Sequence, residues 1–220
     1  STPEPTKVVI SIVDALGQKL LLESTPKKIA TISPTATEML YLSGGSSILR
    51  DRSSNFPDQV KAVPNIGSAY NPSIEKIVAA KPDLVIIEAL TQARFVGMLK
   101  SSGLQVMAVK AETLDDIKTS ILNVGSVIGK KDVASAKILD IEKRLLSVGS
   151  NDGRSVLVLI SDQDRNLYAA RPESYTGLVI DIVGMKNKAA GLADSGPYPG
   201  FAAMSPEAIL KSNPDIIITI

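Results

Sequence analysis

The segment EKIVAAKPDLVI, from Glu75 to Ile86, returns as EAILKSNPDIII from Glu207 to Ile218, at a constant offset of 132 residues with no gap. In each copy an acid opens a short amphipathic helix, with Ile77 and Val78 or Ile209 and Leu210 supplying the apolar face. Lys81-Pro82-Asp83 and Asn213-Pro214-Asp215 then break the helix, because proline restricts the residue before it and aspartate favours a turn. An apolar strand follows. A corner built twice at this distance predicts two similar lobes, and two lobes predict a cleft between them.

Outward from the first copy, strands and helices alternate. Val8 to Val13 and Lys19 to Glu23 read as an opening hairpin around Asp14 to Gly17. Ile29 to Ile32 reads as a buried strand, and Ser33-Pro34-Thr35 caps a helix from Ala36 to Leu42 that Gly44-Gly45 ends. A short strand is expected around Ile48. Ser73 is placed to cap the helix carrying Glu75, Leu84 to Ile87 is a strand, Thr91 to Ser101 is helical, and Gln105 to Val109 is a strand. This rhythm predicts a parallel sheet covered on both faces. It stops at Thr113 to Ile128 and Asp132 to Val148, two helical stretches with no strand between them. The second is read as a stiff connection between lobes. Alternation resumes with a strand from Ser155 to Ile160, a helix from Ser174 to Val183 and the second copy. The expected division is a tether over 1–6, a first lobe over 7–131, a linking helix over 132–149 and a second lobe over 150–220.

Composition narrows the functions available. The chain has 220 residues, 44% of them hydrophobic, enough to bury a substantial core. Lys plus Arg number 24 against 23 Asp plus Glu, so a net charge of +1 offers no field for nucleic acid or an anionic membrane. Cysteine, histidine and tryptophan are absent, which removes disulfides, thiolate chemistry and imidazole ligands together. No apolar run is long enough to span a bilayer. Without a charged-then-apolar leader, the chain is read as mature or trimmed.

The succession of an Asp-x-x-Gly hairpin, KKIATISPTATEML, VPNIGSAYNPSIEKIVAAKPDLVI, ESYTGLVIDIVGMKNKA and MSPEAILKSNPDIIIT resembles the substrate-binding proteins of ATP-driven importers for iron complexes and cobalamin. The resemblance runs from about Lys7 to the last residue. It implies an α/β fold of two Rossmann-like lobes with mostly parallel sheets joined by one long α-helix, a ligand held between the lobes, and delivery to a membrane permease outside the cytoplasm. It implies a binding protein, monomeric and in some members lipid-anchored, rather than an enzyme. It also matches Glu75 and Glu207 to the exposed glutamates, one per lobe, that meet arginines of the permease. The residues alone offer a plainer role, since an acid in the first turn favours the positive end of the helix dipole.

If that fold holds, loops at the carboxyl ends of the strands line the site. They carry Arg52, Arg94, Arg165 and Arg171 as cations, with Tyr70, Tyr198 and Phe201 as flat surfaces. From these, Arg52, Tyr70, Arg94, Arg171, Tyr198 and Phe201 are taken as ligand-binding residues. Arginines beside aromatics suit a large, rigid, partly anionic cargo such as a ferric siderophore, through forked hydrogen bonds and cation–π contacts. Cobalamin and haem stay open as cargo, with Tyr70, Tyr168, Tyr175 or Tyr198 available to a haem iron. No protein cofactor is expected. Lack of histidine argues against bare zinc or manganese.

Other motifs fail. Asp162, Asp164, Asn166 and Glu173 occupy positions 1, 3, 5 and 12 of a calcium loop, but Leu167 stands where glycine makes the sharp turn. A polar hairpin loop is expected there. Gly125 to Lys131 departs from the phosphate-loop pattern, and no nucleophile elbow or dinucleotide turn is present. A two-lobed enzyme such as a sugar-nucleotide transferase is the distant alternative. Relative to the family pattern, the second lobe is expected to be truncated, because Ile220 falls within a strand.

Overall fold

Alternating exposure in the opening segment produces an antiparallel hairpin of β1 (Ile10–Val13) with β2 (Lys19–Leu22). The computed structural model describes residues 10–148, 153–196 and 198–220. The expected tether, with Val8 and Val9, lies outside them. Asp14 makes the turn: one carboxylate oxygen accepts from the amides of Leu16 and Gln18 at 3.0 and 2.8 Å. Gly17 takes a φ of 73°, which costs glycine little. The other Asp14 oxygen accepts the amide of Ala108 at 3.0 Å, fixing the hairpin to a more distant segment.

The first sheet follows the predicted rhythm. β3 (Ile29–Thr31) leads through Ser33, whose Oγ accepts the Ala36 amide at 3.1 Å, into α1 (Pro34–Leu42). A long loop containing a 3-10 turn, Asp58–Ala62, reaches a two-residue hairpin, β4 (Gly67–Ser68) with β5 (Asn71–Pro72). Then come α2 (Ile74–Ala80) and β6 (Leu84–Glu88). The stretch expected as one helix over 91–101 is instead α3 (Ala89–Gln92), a 3-10 turn at Ala93–Phe95, and α4 (Val96–Ser101). It leads to β7 (Val106–Val109). The order β3-β6-β7 is wholly parallel, and bridges at Ala30–Leu49 and Arg50–Asn65 extend it. Every residue of these three strands is buried, as a sheet covered on both faces requires.

Two helices follow without a strand, α5 (Leu114–Val127) and α6 (Lys131–Leu146). A Cβ on Gly125 would stand 2.4 Å from that of Ala134, so only glycine permits this approach. The structure divides into two units. One runs to Ala111 and adds Asp115–Asp140, the other takes Glu112–Leu114 and Ile141–Ile220, and the chain therefore passes between them within α6.

The second unit contains β8 (Ser155–Ser161), β9 (Leu167–Ala170), α7 (Tyr175–Ile182), β10 (Lys186–Asn187), β11 (Phe201–Met204), α8 (Pro206–Ser212) and β12 (Ile216–Thr219). A strand has two edges, and register shows how β8 shares them. β12 pairs in parallel with Val156 to Leu159, while β10 meets Ser155 and Val156 and β9 meets Leu159 to Ser161. Val156 and Leu159 each serve two partners, so β12 occupies one edge and β10 and β9 divide the other. β9 and β11 run antiparallel, which makes this sheet mixed. The turn at Asp162 to Asn166 is too short for a crossover, so β9 must return beside β8. This is the expected polar hairpin loop. Asp162 accepts from the amides of Asp164 and Asn166, the Asn166 side chain and the Tyr168 hydroxyl, all within 3.1 Å. Those donors, the Asn166 side chain foremost, hold its pKa below the usual carboxylate value.

The repeat folds as the same corner in both units. Ser73 caps α2 and Ser205 caps α8, each hydroxyl accepting an amide three residues on. Lys81 and Asn213 end the helices in left-handed conformations, with φ of 48° and 42°. The aspartates do more than start a turn. Asp83 Oδ2 accepts the amides of Lys27 and Lys28, both at 2.8 Å, just before β3. Asp215 Oδ2 accepts the amide and hydroxyl of Ser155, both at 2.7 Å, at the start of β8. Each carboxylate clamps its own strand to the start of the parallel neighbour.

Bonding from Lys28 and from Ser155, respectively, holds the Asp83 and Asp215 pKa values low. A lowered folded pKa means the clamps contribute fully above the ordinary carboxylate value and are lost as pH falls through the folded one. Asp83→Ala is expected to cost about 1 kcal/mol in urea unfolding at pH 7, reduced by solvent screening. The double variant Asp83→Asn with Asp215→Asn keeps acceptors that cannot titrate. Its stability should fall less steeply than that of the native chain as pH is lowered from 5 to about 2.

Candidate functional site

Loops leaving the carboxyl ends of a parallel sheet gather on one side, because every strand points the same way. In the first unit these loops rest on buried hydroxyls. The hydroxyls of Thr31 and Thr37 are 2.7 Å apart, those of Thr37 and Ser54 are 3.0 Å apart, and Ser54 Oγ makes a short hydrogen bond to Asp51 Oδ1. All four residues are buried. Proton counting sets the direction: Ser54 gives its hydrogen to the carboxylate and Thr37 donates to Ser54, so the single hydroxyl hydrogen of Thr31 is shared between Thr37 Oγ1 at 2.7 Å and the Leu49 carbonyl at 3.3 Å. The same carboxylate accepts the Ser53 amide at 2.7 Å. Arg50 secures the loop from the other side, its guanidinium donating to the carbonyls of Asp51, Arg52, Ser54, Lys61 and Val63. Arg50 and this relay escape sequence reasoning. The polar run Arg50 to Ser54, directly after the apolar Ile48-Leu49, is the one local signal for them.

Beside the relay, Gln92 is completely buried. Its Nε2 donates to the carbonyls of Ile32 and Ala69 at 2.5 and 2.8 Å, and its Oε1 accepts the Glu88 amide at 3.0 Å. Glu88 in turn caps α3, accepting the Leu90 and Thr91 amides and the Thr91 hydroxyl. One glutamine thus joins the end of β3, the β4–β5 hairpin and the loop after β6. Nothing local marks it in sequence, since glutamine is ordinary in a helix.

Two predicted site residues stand on this support. Tyr70, at the tip of the β4–β5 hairpin, is 69% exposed despite its large ring. Arg94 donates through Nη2 to the Tyr70 carbonyl at 2.6 Å, and its guanidinium carbon lies 4.8 Å from the centroid of Phe95. Arg52 is exposed on the neighbouring loop, with its amide bonded to Gly67 O at 2.7 Å. The structure therefore brings Arg52, Tyr70 and Arg94 to one end of the first unit.

The second unit places Arg171, Tyr198 and Phe201 around another loop. Asp194 organises it, accepting the amides of Gly196 and Gly200 at 2.9 and 2.8 Å, bonds that lower its pKa. Arg171 is largely buried and donates to Asp194 at 2.9 Å, with Glu173 at 3.2 Å. Its charge is already countered by two carboxylates. Tyr198 stands edge-on to Tyr168 at 4.8 Å. Phe201 packs against the core of Val156, Val158, Ala170 and Ile180, so its ring supports the sheet. Arg165 takes the left-handed position of the β8–β9 turn. Arg165 to Tyr168 and Ala203 to Pro206 line an open concavity of about 650 Å³. Glu75 and Glu207 are both exposed in the first turns of α2 and α8. Ordinary first-turn hydrogen bonds, chiefly from its own amide, lower the pKa of Glu207.

Residues 29–219 match the family described as periplasmic binding protein. The chain belongs to that family. This periplasmic binding protein is 27% identical to an ABC transporter substrate-binding lipoprotein of Bacillus subtilis, YvrC, over 96% of the chain and 68% of the relative. It is 24% identical to a cobalamin-binding protein of Halobacterium salinarum, over 94% of the chain and 57% of that protein. The solved structure of the siderophore-binding protein BauB, with ferric iron and two molecules of acinetobactin, superposes with a TM-score of 0.79. That match covers 97% of this chain and 77% of BauB at 19% identity, a likeness of fold.

In this periplasmic binding protein the hydroxyl relay holds the loop bearing Arg52. Ser54→Ala removes a donor from the buried Asp51 and an acceptor from Thr37, and is expected to cost roughly 1–3 kcal/mol in urea unfolding. Arg52→Ala, at an exposed position, should stay within about 0.5 kcal/mol.

Proposed function

We propose that this chain captures a ferric siderophore or a similar iron chelate outside the cytoplasm and presents it to the permease of an ATP-driven importer. The observation that carries the reading is the exposed pair of Tyr70 and Arg94, held together at the carboxyl end of the first unit's parallel sheet. A guanidinium held through Nη2 by one hydrogen bond retains donors on Nε and Nη1 for carboxylate, catecholate or hydroxamate oxygens, and the ring beside it offers a flat apolar face. Arg52 adds a second cation at the same end. Family membership and the named cargo of the relatives support a role in binding rather than turnover. No helix among the described residues is long and apolar enough to cross a membrane.

Glu75 and Glu207 are the proposed docking groups. They occupy the same turn of the same corner in the two units, and exposed carboxylates pair well with guanidinium groups on a partner.

Titration with a ferric tris-hydroxamate, a ferric tris-catecholate, haemin and cyanocobalamin tests the cargo. Submicromolar binding of a ferric chelate is expected, weakened about tenfold by Arg94→Ala through loss of a charge-assisted bond. Tighter binding of haemin or cyanocobalamin would reassign the cargo, and flat titrations throughout would sink the capture reading. For docking, Glu75→Arg with Glu207→Arg should abolish importer-dependent uptake while leaving the ligand dissociation constant unchanged.

A further inference from the structure

We propose that Gln92 is the positioning residue of the candidate site: it makes the β4–β5 hairpin and the loop after β6 a single preformed panel. The inference rests on the reading of Tyr70 and Arg94 as ligand contacts. Gln92 reaches no ligand itself, since its side chain is wholly buried. Both of its polar ends are used. The amide nitrogen has two hydrogens and two carbonyls within reach, one on Ile32 and one on Ala69, and the oxygen takes the Glu88 amide. Ala69 immediately precedes Tyr70, and Gln92 lies two residues before Arg94. One side chain therefore sets the backbone beside both exposed groups, and the Arg94 to Tyr70 bond closes the loop on the outside.

Irregular backbone is the reason such a device is needed. β4 and β5 have two residues each, and α3 has four, so neither segment is held by a long ladder or helix of its own. A buried bidentate amide substitutes for that regular structure. Preorganised loops bind more tightly because less ordering entropy is lost when ligand arrives.

Gln92→Met keeps the length and the apolar stem but removes the donors and the acceptor. Gln92→Glu keeps the acceptor and turns a carboxylate oxygen toward two carbonyls. Amide hydrogen exchange of the ligand-free chain, resolved by residue, gives the first readout. Gln92→Met should speed exchange about tenfold or more at Glu88, and both variants should do so at Leu90, Thr91 and Tyr70, with the strands of the second unit unchanged. The second readout is affinity for whichever of the four probes the native chain binds, compared with Val124→Ala, a buried change on α5. Gln92→Met should weaken binding about tenfold, whereas Val124→Ala should lower the melting temperature without moving affinity. An increase in exchange spread evenly over the first unit, or none, would overturn the proposal. So would a local increase with native affinity. If no probe binds the native chain, the capture reading fails, and the exchange pattern alone still supports or overturns the coupling by Gln92.

Discussion

Parallel neighbours in a sheet have no hairpin to hold them together, so something else must set where one strand begins beside the other. In this chain a carboxylate does so in each unit. Asp83 reaches 55 and 56 residues back to Lys28 and Lys27, and Asp215 reaches 60 residues back to Ser155. Each bond pair fixes two strand starts at one end of the sheet. Strand length then determines where the loops emerge at the other end. The candidate site depends on that register, because a slip of one residue would turn every strand side chain to the opposite face.

Opposite the aspartate clamps, the first unit holds its site loops with buried polar groups rather than with regular structure. Low dielectric strengthens each satisfied bond and penalises each unmade one, so Gln92 and the Thr31, Thr37, Ser54 and Asp51 relay act as demanding supports. They leave the loop surface available to Arg52, Tyr70 and Arg94. The second unit uses a different device. There Arg171 and Asp194 hold the loop that carries Tyr198, so the predicted cation serves partly as scaffold.

Much of the fold was legible locally. Serines before Pro34, Ile74, Tyr175 and Pro206 announced helix starts or stood where caps were needed, and the structure uses all four hydroxyls as caps. The all-apolar run Leu84 to Ile87 announced a buried strand. Less legible were β9 and β11, each only four residues long, with pairing that depends on register across distant segments. The break at Ala93 to Phe95 carries no local signal either. Its residues are compatible with helix, and the buried demands of Gln92 and Glu88 shape the turn instead. For the candidate site, chain order pointed to the loops that follow the strands, but the partner that anchors Arg171 at 2.9 Å, Asp194, stands 23 residues away and is not a property of the local sequence. Arg94 and Arg171 look alike until Asp194 and Glu173 are placed beside one of them.

The sequence by itself determined the repeated corner, the two α/β units and the family, because caps, proline breaks and apolar runs act over a few residues and keep their meaning wherever they fall. Tertiary structure alone decided the mixed order of the second sheet, the aspartate clamps and the role of Gln92. The clamps and the bond from Gln92 to Ile32 join groups 55 to 60 residues apart, and the β9–β11 pairs join residues 31 to 37 apart, with partners chosen by packing: Gln92 meets Ile32 O only when α3 is seated at the end of the parallel sheet.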